Sequence, residues 1–333
     1  MRRRTNPLKR LLAGLLAILL LFGSAAGFYY ASRPLPDSSL PYMFSLKQGA
    51  SLKGAARQLH KAGVLPNEWE LVWLGRLLGR SGKIKFGNYQ LEPGISLLGL
   101  LDAVTAGRVS QSQVSIIEGT TFKQLRELLN ANPELKHDSS GLSEAEILQR
   151  VGASEDHAEG LFFPDTYYFA SGASDLTILK RAYLTMRQHL QESWQQRAPD
   201  LPLATPYQAL ILASIVEKET GQAGDRDMIA GVFINRLRRG MLLQTDPSVI
   251  YGMGEKFDGN LRKRDLLTDT PYNTYTRGGL PPTPIALPGL AALHATLHPA
   301  ATEALYFVAR GDGSSEFSDS LAQHNRAVNK YQK

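Results

Sequence analysis

A chain of 333 residues, 43% hydrophobic and 20% charged, holds enough apolar material for two folded domains and excludes wholesale disorder. The absence of cysteine excludes disulfide frameworks, thiolate metal sites and cysteine nucleophiles, and leaves the redox compartment open. Thirty-seven Lys and Arg against 31 Asp and Glu give a formal charge of +6, a weak bias toward an anionic partner such as nucleic acid, phospholipid headgroups or a carboxylate-bearing polymer.

Several of those positive charges lie in the opening MRRRTNPLKR, which precedes the uncharged run LLAGLLAILLLFGSAAGFYYA at residues 11–31. As a helix this run spans roughly 31 Å, about one hydrocarbon core. Residues 1–31 therefore read as a basic cytoplasmic stub and a transmembrane anchor, with everything from Ser32 outside the cytoplasm. The competing reading is a cleaved signal peptide, with Ser24, Ala25 and Ala26 as the cleavage site. The uncleaved anchor is preferred because the apolar run continues to Phe28, Tyr29 and Tyr30. Either reading places the working part outside the cytoplasm and argues against nucleic acid as the partner.

Residues 32–41, SRPLPDSSLP, read as an extended linker. Three segments at 44–59, 89–104 and 114–129 then share one pattern: a short β-like run, a glycine, and Ser51, Ser96 or Thr121 placed to cap an amphipathic helix. Their unequal spacing excludes a solenoid. The first two read as halves of a small α+β domain at 42–111, with the strand, helix, helix, strand order of sugar-binding LysM modules; a spacer and interaction domain is the alternative. The third opens a larger α+β domain at 112–333.

In that domain the polar interval HDSSGLSEAE ends in a fresh helix start, and further helices are expected at about 175–197, 206–220 and 227–239. Short strands are expected at 242–244 and 305–309, with a hairpin in ARGDGSSEFS.

The helix ILASIVEKETG raises a chemical question. Thr205 fits its N-cap, Pro206 its first turn, Gln208 a capping box and Gly221 its C′ position. On a helical wheel Glu219 falls within the stripe of Gln208, Leu212, Ile215 and Val216, whereas Glu217 falls near Leu210, Ala213 and Ser214. A carboxyl on an apolar stripe loses solvation of its charged form and holds a proton toward neutral pH, as a general acid must. The plainer alternative is a Glu219 salt bridge to Arg226 or Arg236.

Three further segments suit a glycan groove, where aromatic faces cover sugar C–H surfaces and amides or carboxylates bridge hydroxyls. They are GLFFPDTYYF around Asp165, LLQTDPSVIYG with Gln244 and Asp246, and TPYNTYTRGGLPPTPIALPG with Tyr272, Asn273 and Tyr275. Each has an ordinary alternative: core aromatics, an N-cap at Asp246, and a surface brace. Seven histidines show no metal-ligand spacing; His294 and His298 are four apart but lack the accompanying acid.

With EGLFFPDTYYF from Glu159, ASIVEKET from Ala213, VFINRLRRGMLLQTDPSVIYG from Val232, YNTYTRGGLPPTPIALPG from Tyr272 and LYFVARGDGSSEFSDSLAQHN from Leu305, the sequence resembles the endolytic murein transglycosylases, the YceG-like (MltG-type) family. The resemblance covers nearly the whole chain, with one departure at Thr283, where a glycine or similarly small residue is expected. It implies cleavage, without water, of the β-1,4 bond between N-acetylmuramic acid and N-acetylglucosamine in nascent peptidoglycan, leaving 1,6-anhydro ends. It places the catalytic acid on Glu219, in agreement with the wheel.

Gln244, Asp246, Tyr272, Asn273 and Tyr275 are then expected around the sugar, with Glu217, Asn235, Glu159 and Asp165 in support and Glu217 tying its helix to a neighbour. No cofactor or metal is implied; the partners implied are glycan strands and a peptidoglycan synthase. Two other readings stand beside it: a hydrolase with Asp246 or Asp165 as second carboxylate, and a non-catalytic peptidoglycan-binding scaffold.

Overall fold

The computed structural model describes residues 7–35, 42–46, 51–61, 63–85, 87–91, 94–107 and 111–332. The chain divides into two compact units, residues 1–112 with 168–172, and 113–167 with 173–333. The architecture is mixed α+β, mostly helical, with small two-stranded sheets and an N-terminal apolar helix.

The first unit begins with α1 (Pro7–Ala31), whose described apolar side chains are largely exposed. Strand β1 (Tyr42–Leu46) pairs antiparallel with β2 (Gly87–Leu91), Phe44 opposite Tyr89. Between them come α2 (Leu52–Lys61) and α3 (Glu68–Leu77), and α4 (Leu97–Ala106) follows β2. The order is thus strand, helix, helix, strand. The core joins Phe44, Leu46, Leu52, Leu59, Leu71, Tyr89 and Leu100, with the Phe44 and Tyr89 rings stacked at 5.2 Å.

Each expected cap is made: Ser51 Oγ accepts from Gly54 N–H, Ser96 Oγ from Gly99 N–H, and Thr121 shares a full capping box with Gln124. The expected linker begins differently. Leu35 is buried in the small core and its N–H donates to the Ile95 carbonyl at 2.9 Å. Residues 36–41 and the basic residues 1–6 lie outside the described residues.

In the second unit, β3 (Gln111–Ser115) leads to α5 (Phe122–Asn130), the short β4 (Leu135–Lys136) and α6 (Glu144–Val151), which starts from a capping box at Ser143. Strand β5 (Thr166–Ala170) lies in this unit only to Tyr167, since residues 168–172 belong to the first, and β6 (Ala173–Ser174) runs parallel to β4. Helices α7 (Asp175–Gln195), α8 (Pro206–Glu219), α9 (Arg226–Arg238), α10 (Asp246–Met253), α11 (Lys263–Leu267) and α12 (Leu290–Leu297) precede the hairpin β7 (Tyr306–Ala309) and β8 (Ser315–Ser318) and the last helix, α13 (Leu321–Tyr331).

Helix α8 is central: every residue from 209 to 216 is buried, against Ile229, Ala230 and Phe233 of α9, Ala295 and Leu297 of α12, and Ile285. A helix apolar on all sides has no solvent face to offer.

Three expectations meet different outcomes. Residues 242–244 form no strand, because Gln244 takes a left-handed conformation with φ of 51°. Gly221 supplies no left-handed cap; α8 stops when Thr220 turns extended, its hydroxyl donating to the Val216 carbonyl at 2.7 Å. Thr205 does cap, but Gln208 reaches one residue further back, accepting from Ala204 N–H.

Gly160 shows how tightly the unit closes. Its φ is +82° and a Cβ there would lie 2.5 Å from the Pro284 ring. Left-handed strain and overpacking act together, so Gly160→Ala is predicted to cost roughly 2–5 kcal/mol, read as a lower denaturation midpoint with an unchanged m-value.

Candidate active site

The C-terminal turn of α8 carries two carboxylates into different surroundings. Glu217 Oε2 accepts from the Gly289 N–H at 2.9 Å, at the start of α12, and Oε1 lies 4.0 Å from Arg226. A Cβ on Gly289 would collide with the Glu118 side chain, so glycine here is what lets Glu118 lie against the start of α12. Burial, with the Glu118 charge adding to it, holds the Glu217 pKa above its usual value against the opposing Gly289 hydrogen bond.

Glu219 is half-buried, and among the described residues it forms no ion pair. Its Oε1 accepts a hydrogen bond from Thr245 Oγ1 at 2.5 Å. Burial raises its pKa; the Asp246 charge adds to the rise and the Thr245 hydroxyl opposes it. Arg226 belongs to Glu217, and Arg236 is spent elsewhere, which disposes of both proposed salt bridges to Glu219.

Thr245 holds the N-cap position of α10 yet makes no side-chain cap bond, because its hydroxyl is turned to Glu219. It is placed by hydroxyl and backbone bonds between two loops. Thr245 N–H donates to Thr274 Oγ1 at 3.0 Å, Gln244 N–H to the Thr274 carbonyl at 3.1 Å, and Ser248 Oγ to the Thr245 carbonyl at 2.8 Å. Buried Arg236 fastens the same stretch: Nη1 donates to the carbonyls of Leu242 and Leu243 and to Gln244 Oε1, while Nε donates to the Leu305 carbonyl on the approach to β7. Its guanidinium lies 5.1 Å over the Tyr306 ring, and burial lowers its pKa.

Exposed Asp246 accepts a 2.5 Å hydrogen bond from the Tyr275 hydroxyl, whose pKa is pushed up by burial and by Asp246. Gln244 is also exposed. The hairpin tip borders this end of α8: Ser315 N–H donates to Asp225 Oδ2 at 2.6 Å, and Gly313 lies against Gly221.

The structure therefore gathers Glu219, Thr245, Asp246, Gln244 and Tyr275. Asn273 has a different place: fully buried, its Nδ2 donates to the carbonyls of Asp265, Leu266 and Thr268 and its Oδ1 accepts from Tyr275 N–H. It shapes the loop from beneath.

Tyr272 donates to the buried Thr283 hydroxyl at 2.9 Å and meets Tyr251 edge-on at 4.9 Å. Thr283, where a glycine or similarly small residue was expected, donates its own hydroxyl to the Pro284 carbonyl and stays out of the left-handed region. Asn235 Nδ2 donates to the carbonyls of Thr302 and Ala304.

Glu159 Oε1 accepts from Phe122 N–H and Oε2 from the Tyr251 hydroxyl, beside a cavity of about 430 Å³ also lined by Lys123, Glu127, His157 and Tyr272. Exposed Asp165 accepts from its neighbour Thr166 N–H; Phe162, Phe163 and Tyr167 beside it are core. Thr245, Thr274 and Ser248 were missed because hydroxyls carry no charge or periodicity that marks them. Arg236 was weighed only as a salt-bridge partner.

Burial raises the Glu159 pKa to about 7 from an ordinary 4.5. With the folded value above the unfolded one, its contribution to stability is full below pH 4.5 and is lost as pH rises to about 7. Glu159→Gln should therefore flatten the decline of melting temperature across that window, measured by calorimetry at a series of pH values.

The model of the YceG-like family matches residues 44–330. The endolytic murein transglycosylase of Bacillus subtilis is 30% identical over 312 residues, covering 89% of this chain and 86% of that protein. That of Streptococcus pneumoniae serotype 2 is 27% identical, covering 91% of this chain and 62% of the longer protein. A crystal structure of a yceG-like protein from Listeria monocytogenes is similar with a TM-score of 0.54 and 28% identity, over 86% of this chain and 98% of that one.

Proposed function

Since the chain belongs to the YceG-like family, we propose that it is an endolytic lytic transglycosylase of nascent peptidoglycan, held in the inner membrane by α1, with Glu219 as its acid and base. The observation that carries the reading is the Glu219 carboxyl itself: half-buried, without a cation among the described residues, and hydrogen-bonded to one neutral hydroxyl. A carboxyl in that environment retains a proton that a salt bridge would remove.

The reaction then needs one residue. Glu219 donates its proton to the glycosidic oxygen as the bond from that oxygen to the muramyl C1 breaks. The C6 hydroxyl oxygen of the same sugar bonds to C1, and its proton passes to the Glu219 carboxylate, which regenerates the acid and leaves a 1,6-anhydro ring. No water, metal or cofactor enters the balance, and the tethered hydroxyl brings a large effective molarity. The Asp246 carboxylate, oriented by Tyr275, supplies negative charge for the developing oxocarbenium ion.

Gln244, its carbonyl oxygen held by Arg236, has its amide N–H groups available for a sugar N-acetyl carbonyl. Asn273 acts by fixing the loop that presents Tyr275, and Glu217 by fixing α12. The strand, helix, helix, strand order of the small unit supports a LysM-like glycan-binding module, and family resemblance implies strand termination beside a peptidoglycan synthase.

Because Asp246 adjoins Glu219, a hydrolase with Asp246 as second carboxylate is the specific alternative. Mass spectrometry of products separates the two: anhydro ends for the transglycosylase, reducing ends for the hydrolase. Glu219→Gln keeps the shape and removes the proton, so release of anhydro-ended products from purified peptidoglycan should fall by about 10²–10⁴-fold or more; full activity in that variant sinks the assignment. Thr245→Val removes the hydrogen bond that favours the carboxylate form. The acid form then persists to higher pH, and the alkaline limb of kcat/KM should move upward.

A further inference from the structure

The small unit presents an exposed apolar face. Helix α3 buries Leu71, Val72 and Gly75, and opposite them it exposes Trp69 (44%), Trp73 (63%) and Leu77 (84%), with Leu78 (43%) just beyond its end. Spacing of four residues places Trp69, Trp73 and Leu77 within an arc of about 80°. Between residues 42 and 107 these four are the exposed large hydrophobic side chains among the described residues.

Cations frame them. The Lys53 ammonium lies 5.1 Å over the Trp69 ring and the Arg76 guanidinium 5.5 Å over Trp73. From residue 51 to 85 the chain carries seven Lys and Arg against two acids, Glu68 and Glu70, of which Glu68 is paired with Arg57.

The chain geometry says what surface is within reach. Helix α1 ends at Ala31, which is itself buried, and Leu35 is already in the small core, hydrogen-bonded to Ile95, with Pro34 bridged to Ser96. Four residue steps extend at most about 14 Å. If α1 spans the bilayer, the small unit is tethered at the bilayer surface with no slack to leave it.

Exposed tryptophans and leucine among Lys and Arg match the lipid interface, where indole rings sit at headgroup level and cations meet anionic lipid. We propose that the Trp69, Trp73 and Leu77 face of α3 lies in the outer headgroup region of the membrane that α1 crosses, docking the small unit on anionic phospholipid. The inference rests on α1 being a retained anchor. Function follows from the docking: the small unit becomes a fixed platform at the membrane surface, where strands attached to lipid carriers emerge.

The chain has three tryptophans, the third being Trp194, packed against the core of the second unit. This permits a direct test on the full chain reconstituted in vesicles of phosphatidylethanolamine and phosphatidylglycerol, with a quencher group on the lipid near the headgroup. Trp194→Phe leaves Trp69 and Trp73 as reporters, and the Trp69→Phe/Trp73→Phe double variant leaves Trp194.

The expected result is an emission loss of about twofold or more in the first variant, with little change in the second. Equal, small quenching in both, with the protein resistant to alkaline extraction, overturns the docking while leaving the anchor intact. Extraction of the protein at alkaline pH removes the anchor reading, and the docking with it. Shielding of Trp69 and Trp73 from aqueous iodide by added glycan strands, without lipid quenching, identifies a glycan surface and likewise overturns the proposal.

Discussion

Burial of α8 around its whole circumference is the constraint on which the second unit depends. With residues 209–216 all enclosed by α9, α12 and the 285–287 segment, the helix has only its ends to present. Two glutamates in the last turn therefore leave the core together and must be met by whatever surrounds that end. Ser214 shows how closely the packing is managed: its hydroxyl donates to the Ile211 carbonyl at 2.7 Å and accepts from Ile285 N–H at 3.0 Å, which pins the loop before α12 to the helix. A polar group at zero exposure is tolerable because it is fully used.

The two carboxylates then diverge through their partners. Glu217 meets a backbone N–H and a distant guanidinium, and becomes a tie between helices. Among the described residues Glu219 meets the Thr245 hydroxyl and no cation, so desolvation acts on it without an ion pair to offset it. Arg236, near enough to influence Tyr275, is engaged by three carbonyls, the Gln244 amide oxygen and the face of Tyr306. The same guanidinium that shapes the loop is thereby satisfied by carbonyls rather than by a carboxylate, and the left-handed Gln244 is held in place by the bond its Oε1 accepts from Arg236.

Much of this was legible from local signals. Ser51, Ser96, Thr121 and Ser143 announce their helices because capping depends only on residues within one turn. The separation of Glu217 from Glu219 is likewise local, since helical periodicity alone sends them to different faces. Where the reading departed, a distant contact decided. The run at 242–244 has the apolar pattern of a strand, but Arg236 carbonyl bonds and the turn at Gln244 leave it without a ladder. Asn273 looks like a sugar ligand in its Tyr- and Gly-rich loop, yet four hydrogen bonds consume it, three to carbonyls of Asp265, Leu266 and Thr268 at the end of α11 and one from Tyr275 N–H. The aromatics beside Asp165 are core because Phe122 stacks on Phe162 at 5.2 Å, a contact forty residues apart in the chain.

The sequence by itself determined the apolar N-terminal helix, the capped helices of both units, the family, and the divergence of Glu217 and Glu219 to different faces of α8, because each rests on composition, short-range periodicity or extended motif identity. Tertiary structure alone decided that Thr245 turns from its cap position to Glu219, that Asp246 answers to Tyr275, and that Arg236 is spent on the carbonyls of Leu242, Leu243 and Leu305. Those outcomes depend on which side chains the loops at 245–246 and 274–275 bring to the end of α8. Desolvation is a property of the assembled surroundings, so no reading of ILASIVEKETG in isolation could supply it.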